Sequence, residues 1–296
     1  MRVFVTGATG FIGSTLVTEL LRAGHQVLGL ARSDVGAASL RAAGAEVHRG
    51  DLEHPESLAE GAARADGVIH CAFDHDFSRF ASNCEQDSRA ISALGAALAG
   101  TRRPLLITSG IGMGIAAPGR PATEDVFDAA HVNPRRLTEV TAQAVAADGV
   151  NVTVVRLPQV HDTTRHGLIS FAIALAREKG VSAYVGDGSN RYSAVHLTDA
   201  ARLYRLALEK AEPGARYHAV AEEGVTFRAV AEAIGRGLGV PVVSIPADEA
   251  AAHFGWLGLF VGMDLAATSH LTRERLGWQP TGPGLIPDLD AHFVTG

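Results

Sequence analysis

Cysteine is almost missing from this chain: 296 residues carry two, Cys71 and Cys84, and neither stands in metal-ligand spacing. That excludes a zinc-organised core and a disulfide framework. It predicts reduced thiols, with Cys71 in the apolar run VIHCAF packing as a small core residue. Long apolar runs are missing as well. The longest near the C-terminus, FGWLGLFVGM, has about half of the ~20 residues a membrane span requires. The N-terminal MRVFVTG enters a strand pattern directly, without the basic and then apolar design of a secretory leader. Excess positive charge is lacking too: the net charge is -6 and the pI 6.1, which argues against nucleic acid and anionic membrane as partners. Repeats and low-complexity tracts are absent. These absences predict a cytoplasmic protein that works on a small molecule, with no metal, nucleic acid or membrane.

What is present is apolar strand and helix. Apolar residues make up 47% and charged residues 20% of the chain, enough for a large core. A length of 296 residues is long for one core and short for two independent ones. The runs RVFVT (2–6), HQVLGLA (25–31), EVHRG (46–50), DGVIHCA (66–72), PLLITS (104–109) and NVTVVRL (151–157) alternate with helical patterns, the longest at 77–99. Continuous apolar strands separated by helices predict an α/β fold, a doubly wound parallel sheet covered on both faces. After Pro158 the rhythm changes. A helix at 167–179, the strands SAYVG and YSAVHL (192–197) around GDGSN (186–190), a helix at 198–210 and the strand RYHAV (216–220) lead to a helix-rich remainder with PVVSIP at 241–246. The expected division is a sheet domain of residues 1–160 with about 182–220 interleaved, and a smaller C-terminal lobe of about 161–181 and 221–296.

TGATGFIG (6–13) closes the first strand and opens a helix. In that context the glycine triplet is the dinucleotide fingerprint of a Rossmann domain. Gly7 permits a tight turn, Gly10 a close approach of backbone to pyrophosphate, and Gly13 close packing of helix on sheet. The free N–H groups of Phe11 and Ile12 would meet the pyrophosphate. An NAD site places an acidic residue at the end of the second strand. Here Ala31 is followed by Arg32 and Ser33, a guanidinium and a hydroxyl suited to a 2′-phosphate. NADP is therefore the expected cofactor, with NAD open through Asp34. GDL (50–52) would bring Asp51 toward the adenine and Leu52 against its face.

With these segments in order, and with PLLITSGIGMG (104–114), VVRLPQVHD (154–162), GDGSNRYSAVHLTDAA (186–201) and TRERLGWQP (272–280) following, the chain resembles the extended short-chain dehydrogenase/reductases, the superfamily of nucleotide-sugar epimerases and dehydratases. The resemblance covers nearly the whole length. It implies a nicotinamide site at the junction of sheet domain and substrate lobe, lined by Thr9, Cys71, Ala72, Pro158 and Val160, and a homodimer built through a helix bundle. That family works with a serine or threonine after the fifth strand and a YxxxK on the next helix. Counted from Gly114, Ser109 falls at the hydroxyl position. Counted from Glu139, Arg135 falls at the lysine and His131 at the tyrosine, so HVNPR (131–135) stands where YxxxK should stand. The chain thus resembles an atypical subgroup with HxxxR there. The resemblance also places His161 at a family tyrosine, as an alternative acid, and Arg191 where substrate phosphate is often met. Asp199 resembles a structural aspartate at a helix N-terminus.

Histidine titrates near pH ~6.5 when unperturbed, within reach of proton transfer at neutral pH. Arginine, with a pKa above about 12, orients but does not shuttle a proton. Asn133-Pro134 reads as a helix cap followed by the first helical position, leaving His131 in the loop ahead of the helix. The alternative starts the helix near His131 with the proline in its first turn. The leading expectation is an NADP-dependent oxidoreductase that moves a hydride between nicotinamide and a carbonyl or alcohol carbon. In it Ser109 holds the substrate oxygen, His131 exchanges its proton, Arg135 orients the cofactor ribose, and AHFGWLGLFVGM (252–263) offers apolar surface to a bulky substrate. A nucleotide-sugar epimerase or dehydratase, and a non-catalytic dinucleotide-binding redox sensor, are the alternatives.

Overall fold

In a computed structural model that describes residues 1–295, the apolar runs become β1 (Arg2–Thr6), β2 (Gln26–Ala31), β3 (Glu46–Arg49), β4 (Gly67–His70), β5 (Pro104–Gly110) and β6 (Asn151–Leu157). Three short strands, β7 (Gln159–His161), β8 (Ser182–Val185) and β9 (Arg191–His196), pair elsewhere, and β10 (Arg216–His218) returns to lie beside β6. The seven-stranded sheet runs β10-β6-β5-β4-β1-β2-β3, parallel throughout. Its central strands carry apolar side chains on both faces, which alternate strictly along the chain. Val3, Val5 and Leu106 enter one core, while Phe4, Leu105 and Ile107 enter the other. The first core is closed by α1 (Phe11–Arg22) and α2 (Asp34–Ala42), and the second by α3 (Pro55–Ala63), α4 (Phe80–Leu98) and α5 (Arg136–Ala147). The strand order reverses between β1 and β4, and at that switch point the crevice beyond the strand ends is the binding place of an open α/β sheet.

The rest of the chain builds a lobe beyond the C-terminal ends of the strands. Helix α6 (Ile169–Lys179) packs on β8 there, whereas α7 (Leu197–Lys210) returns to the sheet and buries Leu203, Tyr204 and Leu208 against the α1 side. Of the interleaved stretch expected over about 182–220, α7 and β10 lie with the large sheet. By contrast β8 pairs with β12 (Val242–Ile245), and β9 lies between β7 and β11 (Glu222–Thr226). Helix α8 (Phe227–Leu238), the short helices α9 (Ala250–Phe254) and α10 (Gly258–Val261), then α11 (His270–Leu276) and α12 (Leu285–Thr295) complete the chain. Asp199, at the start of α7, ties the C-terminal segment down. Its carboxylate accepts from the N–H of Thr281 and Gly282, and its carbonyl accepts from Trp278 Nε1. No helix among the described residues is long and apolar enough to cross a membrane.

Candidate active site

The switch point is made tight by glycine. Gly7 takes φ +66°, and a Cβ there would stand 2.8 Å from backbone atoms of both Cys71 and Ala72, so the turn after β1 lies directly against the chain leaving β4. A Cβ on Gly13 would stand 2.0 Å from the Gly7 carbonyl oxygen, which only a bare helix face accommodates. Gly10 caps α1 with no side chain, so the first N–H groups of the helix, those of Phe11 and Ile12 included, point out with no side-chain partner. This cradle fits a pyrophosphate. Thr9 stands beside Gly36 of α2, where an added Cβ would meet its methyl at 3.1 Å, and Arg165, from the loop after β7, lies over the Phe11 ring at 5.7 Å.

At the end of β2, Arg32 is exposed and has no hydrogen bond or ion pair among the described residues. Ser33 caps α2 by accepting from Gly36 N–H at 3.1 Å. Asp34 is paired with Arg49 of β3. Asp51 folds its own loop: one carboxylate oxygen accepts from Glu53 N–H, His54 N–H and His54 Nδ1. Leu52 packs against the core under α3 and α4.

Strand alternation decides the end of β5. Thr108 faces α7, where its hydroxyl meets Tyr204 and the His70 carbonyl. Ser109 faces the opposite way: it is 3% exposed and donates to Glu139 Oε1 at 2.8 Å. The residue at the open end of the strand is Gly110, where a built Cβ meets nothing within 4 Å. Counting from Gly114 thus puts the hydroxyl one residue short of the position that opens outward. Glu139 is itself a buried hub on α5. It takes two bonds from fully buried Arg156 and one from Arg216, and Arg156 also donates to the carbonyls of Thr123 and Val126. That network fastens the segment leading into HVNPR.

HVNPR is a turn ahead of α5. Arg135 N–H bonds Asn133 Oδ1, the main-chain bonds begin at Arg136, and His131 lies in the loop. Its Nδ1 accepts from Asn133 N–H at 3.0 Å. A ring nitrogen that accepts carries no proton, so the neutral imidazole holds its proton on Nε2.

Arg135 points into the junction of β4, β5 and α4. Its Nη2 donates to the Thr108 carbonyl at 2.8 Å, its Nη1 lies 3.1 Å from Asp87 Oδ2, and its guanidinium covers the Phe73 ring at 3.9 Å. Asp87, 1% exposed, also accepts from Thr138 Oγ1 at 2.6 Å and from His70 Nε2 at 3.1 Å. Burial opposes its charge, but Arg135, His70 and Thr138 hold its carboxyl below the usual carboxylate range. His70 Nδ1 meets Thr6 Oγ1 at 2.7 Å, and Thr6 accepts from Ala72 N–H. One buried chain of polar contacts therefore runs from the glycine turn after β1 to the arginine. Cys71 lies beside it, its thiol pushed up to about 11 by burial.

The remaining expected residues separate. Pro158 is half-buried at the end of β6, whereas Val160 is 5% exposed and packs in the core through its pairing with Val195. His161 is fully buried, with Nδ1 on Asp288 at 2.7 Å. Arg191 holds Asp264 through Nε and Nη2 at 3.0 and 2.6 Å. The sequence reading missed the segment FDHDF (73–77). Phe73 lies under Arg135, His75 stands at its edge, and Phe77 stacks on Trp256 of the lobe with centroids 4.7 Å apart. Burial, and then the charge of Arg135, push the His75 ring below its ordinary value.

This geometry sits on a chain with clear relatives. An uncharacterized protein of Schizosaccharomyces pombe is 48% identical over 99% of this chain and 100% of its own length. A 2-alkyl-3-oxoalkanoate reductase of Stenotrophomonas maltophilia is 29% identical over 73% of this chain and 67% of its own. The structure of a dTDP-glucose 4,6-dehydratase from Streptomyces venezuelae superposes with a TM-score of 0.79 at 20% identity, covering 100% and 98% of the two chains, and so shows the shared fold. Residues 3–221 match the NAD dependent epimerase/dehydratase family. The chain, with its glycine cradle at the switch point of a parallel sheet, belongs to that NAD(P)-dependent family.

Proposed function

We propose that the protein is an NADP-dependent oxidoreductase that reduces a carbonyl carbon of a small, apolar compound. The observation that carries this reading is the wall beside Arg135: Phe73, Phe77, Phe80 and Trp256 form a continuous run of ring contacts from the sheet domain to the lobe. A diphosphate-linked sugar needs an uncommitted cation there. Arg191, the expected one, is already matched by the carboxylate of Asp264, and a bidentate pair of this kind leaves little charge to offer. The similarity to a 2-alkyl-3-oxoalkanoate reductase supports carbonyl chemistry.

The cofactor, when bound, supplies the hydride. Gly7, Thr9, Gly10, Phe11, Ile12 and Gly13 cradle its pyrophosphate, and Cys71, Ala72 and Pro158 border the nicotinamide end. Arg32 meets the 2′-phosphate, because Asp34 is engaged by Arg49 and Arg32 is unpaired. Arg135 is held by Asp87, Thr108 and Phe73 and directs remaining N–H donors to the ribose. His131 presents Nε2–H to the substrate oxygen, polarising the carbonyl and stabilising the alkoxide. With Nδ1 accepting from Asn133, this neutral ring is a hydrogen-bond donor and not a base, which favours the reducing direction, with water supplying the final proton. Ser109 takes no part, since its hydroxyl belongs to Glu139.

The test is NADPH oxidation against a panel of aliphatic and aromatic ketones and aldehydes. Turnover is expected, with His131→Ala lowering kcat about 10²- to 10³-fold, the cost of losing one oxyanion donor. No turnover across the panel, or turnover unaffected by His131→Ala, refutes the reading.

A further inference from the structure

Arg165 stands beside the glycine cradle with its charge uncommitted. It ends a turn between β7 and α6 that is built to hold its shape. The Asp162 N–H donates to the Arg165 carbonyl at 2.9 Å, and one Asp162 carboxylate oxygen accepts from the N–H groups of Thr164 and Arg165 and from the Thr164 hydroxyl. Just beyond, His166 pairs back with His161, and its N–H donates to Ser170 Oγ. The backbone of Arg165 is thus fixed while its side chain is exposed. Among the described residues no ion pair or side-chain hydrogen bond holds the guanidinium. Its recorded contact is with the Phe11 ring, 5.7 Å from the centroid. That is close to the outer limit of about 6 Å for a cation–π contact, a weak tether that leaves the N–H donors free.

Phe11 is the first residue of α1, whose free N–H groups form the cradle. Charge balance there is incomplete. A dinucleotide carries one negative charge on each phosphate of its diphosphate. The stretch TGATGFIGST (6–15) holds no lysine or arginine, so the cradle answers with main-chain N–H groups and a helix dipole, equivalent to about half a positive charge. Nothing acidic stands in the first turn of α1 to oppose an anion. Arg135 does not make up the difference, because Asp87 neutralises it.

We propose that Arg165 clamps the cofactor's diphosphate, adding charge-assisted hydrogen bonds to those of the α1 N–H groups. The turn after β7 thereby joins the glycine cradle in holding the dinucleotide, and supplies the full positive charge that the cradle lacks. This rests on the dinucleotide of the family and not on the carbonyl-reductase reading, so binding alone tests it.

Calorimetry on the full chain measures NADPH, NADH and ADP-ribose, the last of which carries the diphosphate without nicotinamide. Arg165→Gln is expected to raise all three Kd values by about 10- to 100-fold, the worth of one charge-assisted hydrogen bond. The factor is the same for NADPH and NADH, because the diphosphate is common to both. Arg165→Lys, which keeps the charge, stays within about fivefold of wild type. Added salt weakens binding by wild type more than by Arg165→Gln. The free Arg165→Gln protein melts within about 2 °C of wild type, as an exposed substitution does. Unchanged Kd values, a loss confined to NADPH, or a loss that spares ADP-ribose overturns the clamp, the second by placing Arg165 at the 2′-phosphate and the third by placing it at the nicotinamide end. Carbonyl turnover with undiminished NADPH affinity in Arg165→Gln refutes the clamp and keeps the oxidoreductase reading. A loss for all three ligands in a protein that reduces no carbonyl compound does the reverse.

Discussion

Asp87→Asn isolates the part of the site on which Arg135 depends. The carboxylate lies 3.1 Å from Arg135 Nη1 and is 1% exposed, so at an effective dielectric of about 20 the gross attraction is about 5 kcal/mol. The net worth of such a pair is smaller, but removing one partner leaves the other charge buried, at a cost of about 3–5 kcal/mol. Arg135 keeps the Thr108 carbonyl and the Phe73 face, which puts the loss near the lower end, about 3 kcal/mol. The new amide also turns an N–H₂ toward donors, because His70 and Thr138 both donate to Asp87 and Arg135 faces it as an ion pair. For a chain of 296 residues this lowers Tm by about 5 °C. Urea unfolding of the full chain measures the loss, and Arg135→Met in the same background supplies the decisive comparison. The double variant is expected to be more stable than Asp87→Asn alone, because the stranded charge is gone. The sign with pH follows from the depressed carboxyl. Its stabilisation is complete above the ordinary carboxylate pKa of ~3.9 and is lost as pH falls through the lower native value, so wild type and Asp87→Asn converge in acid. An unchanged midpoint for Asp87→Asn, or losses that simply add in the double variant, would show that the pair does not hold Arg135.

Two further outcomes test other parts of the structure. Arg32→Glu is expected to reduce the preference for NADPH over NADH by about 10- to 100-fold, the worth of one charge-assisted hydrogen bond, and equal dissociation constants before and after the change would remove Arg32 from the cofactor site. His166 is fully buried, and burial, with His292 and His161 beside it, pushes it down to about 4. Its native pKa lies below the unfolded value of ~6.5, so the unfolded chain binds the extra proton and stability falls as pH drops from about 6.5 toward 4. Unfolding free energies that rise with acidification across that window, or a slope that His166→Gln leaves unaltered, would contradict this.

The sheet and the glycine turn after β1 were legible because each is written locally. Runs such as RVFVT and NVTVVRL are too continuously apolar for any place but the middle of a covered sheet, and the spacing of Gly7, Gly10 and Gly13 has a backbone reason at each position. The loop before α5 was legible for the same reason: Asn133 and Pro134 punctuate the chain, and the helix begins just beyond them. What sequence could not show is where a side chain ends up when two distant elements meet. Ser109 and Gly110 differ by one position, and the pleat turns one toward Glu139 and the other outward. Asp87 falls on the apolar stripe of α4, between Cys84 and Ile91, and the stripe does not say which cation a carboxylate there would meet. Only the packing of α4 against β4 and α5 makes it a buried counter-ion. His161 lies in a strand whose neighbours are set by the lobe, and Asp288, its partner, is 127 positions away. The segment FDHDF did carry a signal, an aromatic residue on either side of a histidine directly after the strand that lies against the glycine turn. Large apolar side chains at the mouth of a sheet have no core to enter, so their presence there already points to a partner ring, whether from the lobe or from a substrate.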